Sequence, residues 1–442
     1  VIDPHPIARA HRVRRPTRST AAPVAKALAL AVAVIVALVA ARPVGTAQAQ
    51  TDDLAGVSWQ ALPGDRALGG HGAVIDGRSM TLIGGEQGDF QPPDALRSLA
   101  LAPAQAWTTL AENGDRPVSG LSGRGLVGAR AVRISDDGAA VTSALLICHC
   151  VGATTYNAAW PATGGAVTWR RIADVQSLPL ANGLIAFDGP RRRVIAAGGE
   201  FSGSGDIMTA TWALDVNELN TAQWQPLPAV PFQLLFQAAD RDPRSGHLVA
   251  FGGQGPDATP TTHLWRADLA AIDAPGAWSD IAAQAGAGPG ARSGATLTFA
   301  GSTGWAILYG GYSPVLGEMS DVWALDYRDP TAPRWRAITP AGTAPSARSG
   351  QSAVWDAAGD RVLVYGGLRL EGNGVRYLSD GFAVDLSPDT APTATPPGPT
   401  ATTAVPPPPS ATPVPSPTTP STEGGRIFLP LSLRNADVRA AP

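Results

Sequence analysis

Residues 289–338 read P-G-A-R-S-G-A-T-L-T-F-A, then W-A-I-L-Y-G-G from Trp305, D-V-W-A-L-D from Asp321 and R-W-R-A-I from Arg334. The following stretch opens the same way, with Pro345-Ser346-Ala347-Arg348-Ser349-Gly350. It continues with Arg361-Val362-Leu363-Val364-Tyr365-Gly366-Gly367 and Asp380-Gly381-Phe382-Ala383-Val384-Asp385. A segment that recurs at about 56 residues is a repeat unit, and a period near this length signals a solenoid or a propeller. The apolar runs are short, rich in Val, Ile, Leu, Trp and Tyr, and bounded by Gly, Pro, Asp and Ser, which is the pattern of antiparallel strands. Four of them fit in the first unit, at residues 295–300, 305–309, 321–326 and 335–338, and four strands per repeat describe a propeller blade.

Two markers count the copies. A diglycine closes an apolar strand at Gly84-Gly85, Gly198-Gly199, Gly252-Gly253, Gly310-Gly311 and Gly366-Gly367, with successive spacings of 114, 54, 58 and 56 residues. The first spacing is two periods, so a degenerate copy is expected at Leu145-Leu146-Ile147-Cys148-His149-Cys150. A tryptophan marks the last strand of each unit at Trp59, Trp107, Trp169, Trp224, Trp278 and Trp335. Both counts give six, but they are out of phase. The chain starts on a tryptophan strand with no diglycine before it and ends on a diglycine unit with no tryptophan after it. If the first strand completes the last blade, the ring closes and no sheet edge is left bare. The expected fold is therefore an all-β, six-bladed propeller over residues 50–387, closed by its N-terminal strand.

These motifs resemble kelch repeats of a secreted bacterial type, in which an apolar strand ends in Gly-Gly and a tryptophan follows further on. The resemblance covers residues 57–386 and is clear in five units. Its diglycines are expected to supply positive φ and close backbone approach, and its tryptophans to wedge between neighbouring blades.

The flanking segments have a different composition. In residues 1–49, Arg9, Arg12, Arg14, Arg15, Arg18 and Lys26 precede and enter an apolar run at 27–41, and Ala47-Gln48-Ala49 follows as an A-x-A site. That is the layout of a cleaved signal peptide, and the run is shorter than the ~20 residues that span a bilayer. The expected location is secreted or cell-surface. Seven of the 33 basic residues and one of the 36 acidic ones lie in this segment, which leaves the rest near a net charge of −9. Nucleic acid is a poor partner for such a chain, and two cysteines cannot form a disulfide framework. Residues 388–422 are nearly all Pro, Thr, Ala and Ser, the composition of an extended or disordered linker. Residues 423–442 hold a short apolar piece around Ile427, Phe428 and Leu429. Association with a membrane is expected only through an uncleaved signal or through anchoring by this C-terminal segment.

Candidate chemistry is sparse. Cys148-His149-Cys150 places two thiols on one side of a strand and the imidazole on the other, which does not suit one metal ion. The kelch resemblance extends to the central domain of galactose oxidase. His71, His149, His247 and His263 fall in different blades at different repeat positions, and none maps onto its copper pattern. No metal or cofactor is expected. The resemblance also brings in sugar-active epimerases that use carboxylates and arginines around the channel. Glu86 and Glu200 follow diglycines here, and Arg66, Arg124, Arg292 and Arg348 open first strands. These six are the candidate ligand-binding residues, on the face that carries the loops at 86–93, 200–208, 254–261, 312–320 and 368–379. The favoured reading is a module that binds a protein or an acidic glycan without catalysis of its own, and the rival is a sugar-active enzyme.

Overall fold

The computed structural model describes residues 54–386, except 55, 77–78, 88–94, 103, 116–129, 135–140, 148–153, 162–165, 175–181, 201–205 and 373. Arg124, Cys148, His149, Cys150, the signal-like segment and the Pro/Thr-rich tail lie outside the described residues. Among the described residues the fold is all-β with almost no helix, the one α-helical turn being Ala282–Ala285.

Five sheets are regular four-stranded antiparallel blades. In the unit that contains Arg292 the strands are Thr296–Phe299, Trp305–Tyr309, Val322–Asp326 and Arg334–Ile338, within a residue or so of the runs in the sequence. The expectation of six such blades is corrected by the second unit. There, Arg130–Ile134, Val141–Ile147, Thr154–Pro161 and Val167–Asp174 are joined by a fifth strand, Glu112–Gly114, which pairs in parallel with Val167–Asp174. This is the unit without a diglycine.

The innermost strands follow one another in a circle. Gly72–Ile75 lies beside Arg130–Ile134, and the series continues through Leu184–Asp188, Ala238–Arg241, Thr296–Phe299 and Ser352–Asp356, which returns to Gly72–Ile75. They enclose a central channel of about 380 Å3. Closure is as the out-of-phase markers imply. Ser58–Leu62 pairs antiparallel with Gly381–Asp385, with Trp59 opposite Val384. Beyond that edge, the Trp59 N–H donates to the Ala341 carbonyl at 2.8 Å and the Ala341 N–H to the Val57 carbonyl at 2.8 Å.

The tryptophans fill the taper between sheets. Trp59 is buried against Tyr309 of the preceding blade, ring centroids 5.3 Å apart and near edge-on. Trp335 meets Phe251 at 5.2 Å, Trp278 meets Phe232 at 5.3 Å and Trp107 meets Tyr365 at 5.0 Å in the same manner. Such edge-to-face pairs add to the apolar area that each indole removes from water.

Both members of each diglycine have positive φ, from 62° at Gly366 to 104° at Gly311. At several of these places there is also no room for a side chain. A Cβ on Gly253 would lie 2.8 Å from the Leu235 carbonyl oxygen, and one on Gly367 would lie 2.9 Å from that of Ser349.

Candidate functional site

The loops that follow the diglycines share one face with the segments that enter the first strands. Isolated bridges pair Gly69 with Glu86, Leu235 with Gln254, Ser293 with Tyr312 and Ser349 with Leu368. Just inside these bridges a chain of backbone hydrogen bonds runs from blade to blade. Gly70 N–H donates to the Gly350 carbonyl, Gly350 to Gly294, Gly294 to Phe236 and Phe236 to Asn182, all at 2.9–3.0 Å. All five residues have φ between 55° and 67°. For Phe236 that conformation is strained, and it is held by its place in the chain of bonds.

Arg292 and Arg348, expected to face a ligand, are instead spent inside the fold. Arg292 is 2% exposed. Its Nε donates to the Gly290 carbonyl, Nη1 to the Gly310 carbonyl at 3.0 Å and to Asp321 at 2.6 Å, and Nη2 to the other Asp321 oxygen at 2.8 Å. Arg348 is 0% exposed and repeats the arrangement with Ser346, Gly366 and Asp380. Their own carbonyls accept from Gly253 and Gly311 of the preceding blade. Each arginine therefore ties two diglycine corners together. Burial raises the Asp321 carboxyl, but the Arg292 hydrogen bond and charge, with a bond from Trp323 Nε1, outweigh it and hold the group below the usual range.

Arg66 does not occupy the equivalent position. Leu68 does, since its carbonyl accepts from Gly367 as those of Arg292 and Arg348 accept from Gly253 and Gly311. Arg66 lies outside the corner, with Nη1 donating to Ala95 O at 3.1 Å. Arg97 binds the neighbouring Asp65 through two bonds.

The carboxylates are also engaged. Glu200 accepts from Asn182 Nδ2 at 2.8 Å, which steadies the left-handed Asn182. Glu86 is 2% exposed, one oxygen is buried without a partner, and the side chain is bonded to Tyr377. Burial pushes its pKa up to about 7, against the lowering effect of that Tyr377 bond. The described candidates, Arg66, Arg292, Arg348, Glu86 and Glu200, do not converge on an open site.

The histidines stand apart. His71 is buried with Nε2 2.8 Å from Ser352 Oγ, and burial pushes its pKa down to about 3. His247 Nδ1 lies 2.9 Å from Tyr327 Oη, and His263 Nδ1 lies 2.5 Å from Asp280. No group of three His, Cys, Asp or Glu suited to a metal ion occurs among the described residues.

What the face does present is two hairpins. Tyr312–Ser313 pairs with Gly317–Glu318, and Leu368–Glu371 pairs with Gly374–Tyr377. Glu318 accepts from the Leu370 N–H at 3.0 Å, which joins one hairpin to the other. The turn of the first carries Val315, 89% exposed, and Leu316, 68% exposed, the exposed large hydrophobic residues among those described. Sequence reading placed these loops on the functional face but did not single out these two residues. The signal was an apolar pair inside a turn, Pro314-Val315-Leu316-Gly317, where polar residues are the norm.

The family model of the KLHDC2/KLHL20/DRC7 Kelch-repeats domain matches residues 189–400. That match and the arrangement of the blades support a kelch-repeat propeller. No curated protein matches the chain.

Proposed function

We propose that the chain is a protein-binding propeller that works through the face of the post-diglycine loops. One observation carries the reading: Val315 and Leu316 stand in water at the tip of a hairpin on that face. Two adjacent aliphatic side chains left exposed on a rigid turn cost solubility without helping the core, and they suit an interface. A propeller of this type is in general a protein-binding module, and variable loops on a rigid ring are where binding concentrates.

The basic stretch, apolar run and A-x-A site within residues 1–49 support export of this module. A sugar-active reading has less to stand on. Arg292 and Arg348 are held by Asp321 and Asp380, and Glu86 is closed in against Tyr377.

The test is affinity purification on the full chain from the cells that make it, run beside Val315→Asp with Leu316→Asp. A protein recovered with the parent and lost with the variant supports the reading. Equal recovery with both would place binding on another surface.

A further inference from the structure

We propose that the two hairpins together form one docking surface for an acidic protein segment carrying a large apolar side chain. This rests on the protein-binding reading and names the partner's chemistry. The apolar half is Val315 and Leu316. The charged half comes from the register of the second hairpin, in which Arg369 stands directly opposite Arg376.

Strand alternation sorts this hairpin into two faces. Leu368, Leu370, Val375 and Tyr377 share one face, and Leu368 is buried on it. Arg369, Glu371 and Arg376 share the other. Like charges directly opposite each other across a strand pair destabilise the pair. Arg376 has Glu371 at 3.3 Å, with side chains 64% and 47% exposed, so that contact is weak and mostly solvated. Arg369 has no ion pair among the described residues: Glu371 meets Arg376, and the Glu318 carboxylate accepts from the Leu370 N–H. A carboxylate from outside would pair with it, through the forked geometry that guanidinium offers.

The two halves are held in register. The Glu318–Leu370 bond joins the strand leaving the apolar turn to the strand carrying Arg369. A partner segment that meets one hairpin therefore finds the other at a fixed offset. Among the described arginines of this face, Arg292 and Arg348 are already occupied deep in the ring and Arg66 donates to the Ala95 carbonyl, whereas Arg369 and Arg376 stand side by side on one hairpin.

The experiment selects phage-displayed random peptides on the full chain. Enriched sequences are then synthesised and titrated by fluorescence polarisation against three proteins: the parent, Val315→Ser with Leu316→Ser, and Arg369→Glu with Arg376→Glu. The expected peptides carry Asp or Glu close to Leu, Phe or Trp. Each double variant should weaken them about tenfold or more while its thermal midpoint stays at the parental value. Added salt should weaken binding to the parent more than binding to the arginine variant. Peptides that bind all three proteins equally would overturn this surface and leave the protein-binding reading intact. Loss on the arginine variant alone, or binding by a sialylated oligosaccharide in place of peptides, would overturn the composite surface as well. If no peptide is enriched and the Val315/Leu316 purification recovers nothing, both readings fall together.

Discussion

Arg348 and Asp380 form a bidentate pair in which Nη1 and Nη2 each meet a different carboxylate oxygen, at 2.8 and 2.9 Å. With Nε on Ser346 O, Nη1 also on Gly366 O and Nη2 also on Ser346 Oγ, every N–H of the guanidinium is used. The Gly366 carbonyl has no side chain of its own to turn toward, so the arginine serves as the cap of this corner. The same construction recurs one blade earlier with Arg292, Asp321 and Gly310.

Removing either arginine should therefore damage the fold before it affects any ligand. Arg348→Ala leaves a buried carbonyl without its donor, and the expected loss is about 2–3 kcal/mol. Asp380 is 43% exposed, so Asp380→Asn should cost clearly less. Chemical denaturation of the two single variants and the double variant checks this. A double variant no worse than Arg348→Ala would show that the aspartate acts through the arginine.

Gly366→Ala tests the corner from the other side. A methyl group there would sit 2.5 Å from the Leu68 carbonyl oxygen and 2.9 Å from His71 Cε1, at a φ of 62°. Strain and clash together should cost several kcal/mol, on the order of 2–4. Gly372→Ala, in an open turn at φ 59° with nothing within 4 Å, should cost only about 1 kcal/mol. Thermal midpoints of the two variants measure the difference.

Much of this was legible from residue order because its causes are local. A corner held at positive φ, and in several blades without space for a Cβ, favours glycine, so the diglycines repeat. A tapering gap needs a large ring, so the tryptophans repeat as well. The arginine role was misread for a different reason. Sequence shows that Arg292 and Arg348 recur, but not that carbonyls and aspartates lie within reach of them. A clue was present, since Asp321 and Asp380 open the third strands of the same two units. Arg66 follows a proline at the same offset and still falls two residues short of the equivalent place, which Leu68 holds. The parallel strand at Glu112–Gly114 had no visible signal, because its pairing depends on a distant segment rather than on its own three residues. Arg369 and Arg376 become a pair only once the hairpin register is known.

Ring closure gives a third prediction. Trp59 is buried on a strand far in sequence from its partner Val384, and it packs on Tyr309 and Phe382. Trp59→Ala should cost about 3–5 kcal/mol. Deleting residues 51–62 should do more, because Gly381–Asp385 would become a bare edge open to pairing with another chain. Size-exclusion chromatography with light scattering should show the deleted form aggregating. A monomer that melts in one step at the parental temperature would mean that the closing strand contributes nothing.

The last prediction concerns Glu86 and the pH dependence of stability. Its pKa in the folded chain is near 7 because burial disfavours the charged form, whereas an unfolded glutamate titrates near 4.5. Between those values the native state holds a proton that the unfolded state has lost. By linkage, its contribution to stability must then fall as pH rises through this window and level off above about 7. Two and a half pH units correspond to an upper bound of about 3.4 kcal/mol. His71 works in the opposite sense, since its folded pKa is near 3 and acid favours the unfolded state, and buried Asp240, raised to about 6, adds to the Glu86 trend. Both remain in Glu86→Gln, so the difference between parent and variant isolates the one carboxyl. Relative to Glu86→Gln, the parent should lose stability from pH 5 to pH 8, with most of the change between pH 5 and 7. Denaturation midpoints that run parallel across that range would show that Glu86 is already ionised in the folded protein, and that the Tyr377 bond, not burial, sets its state.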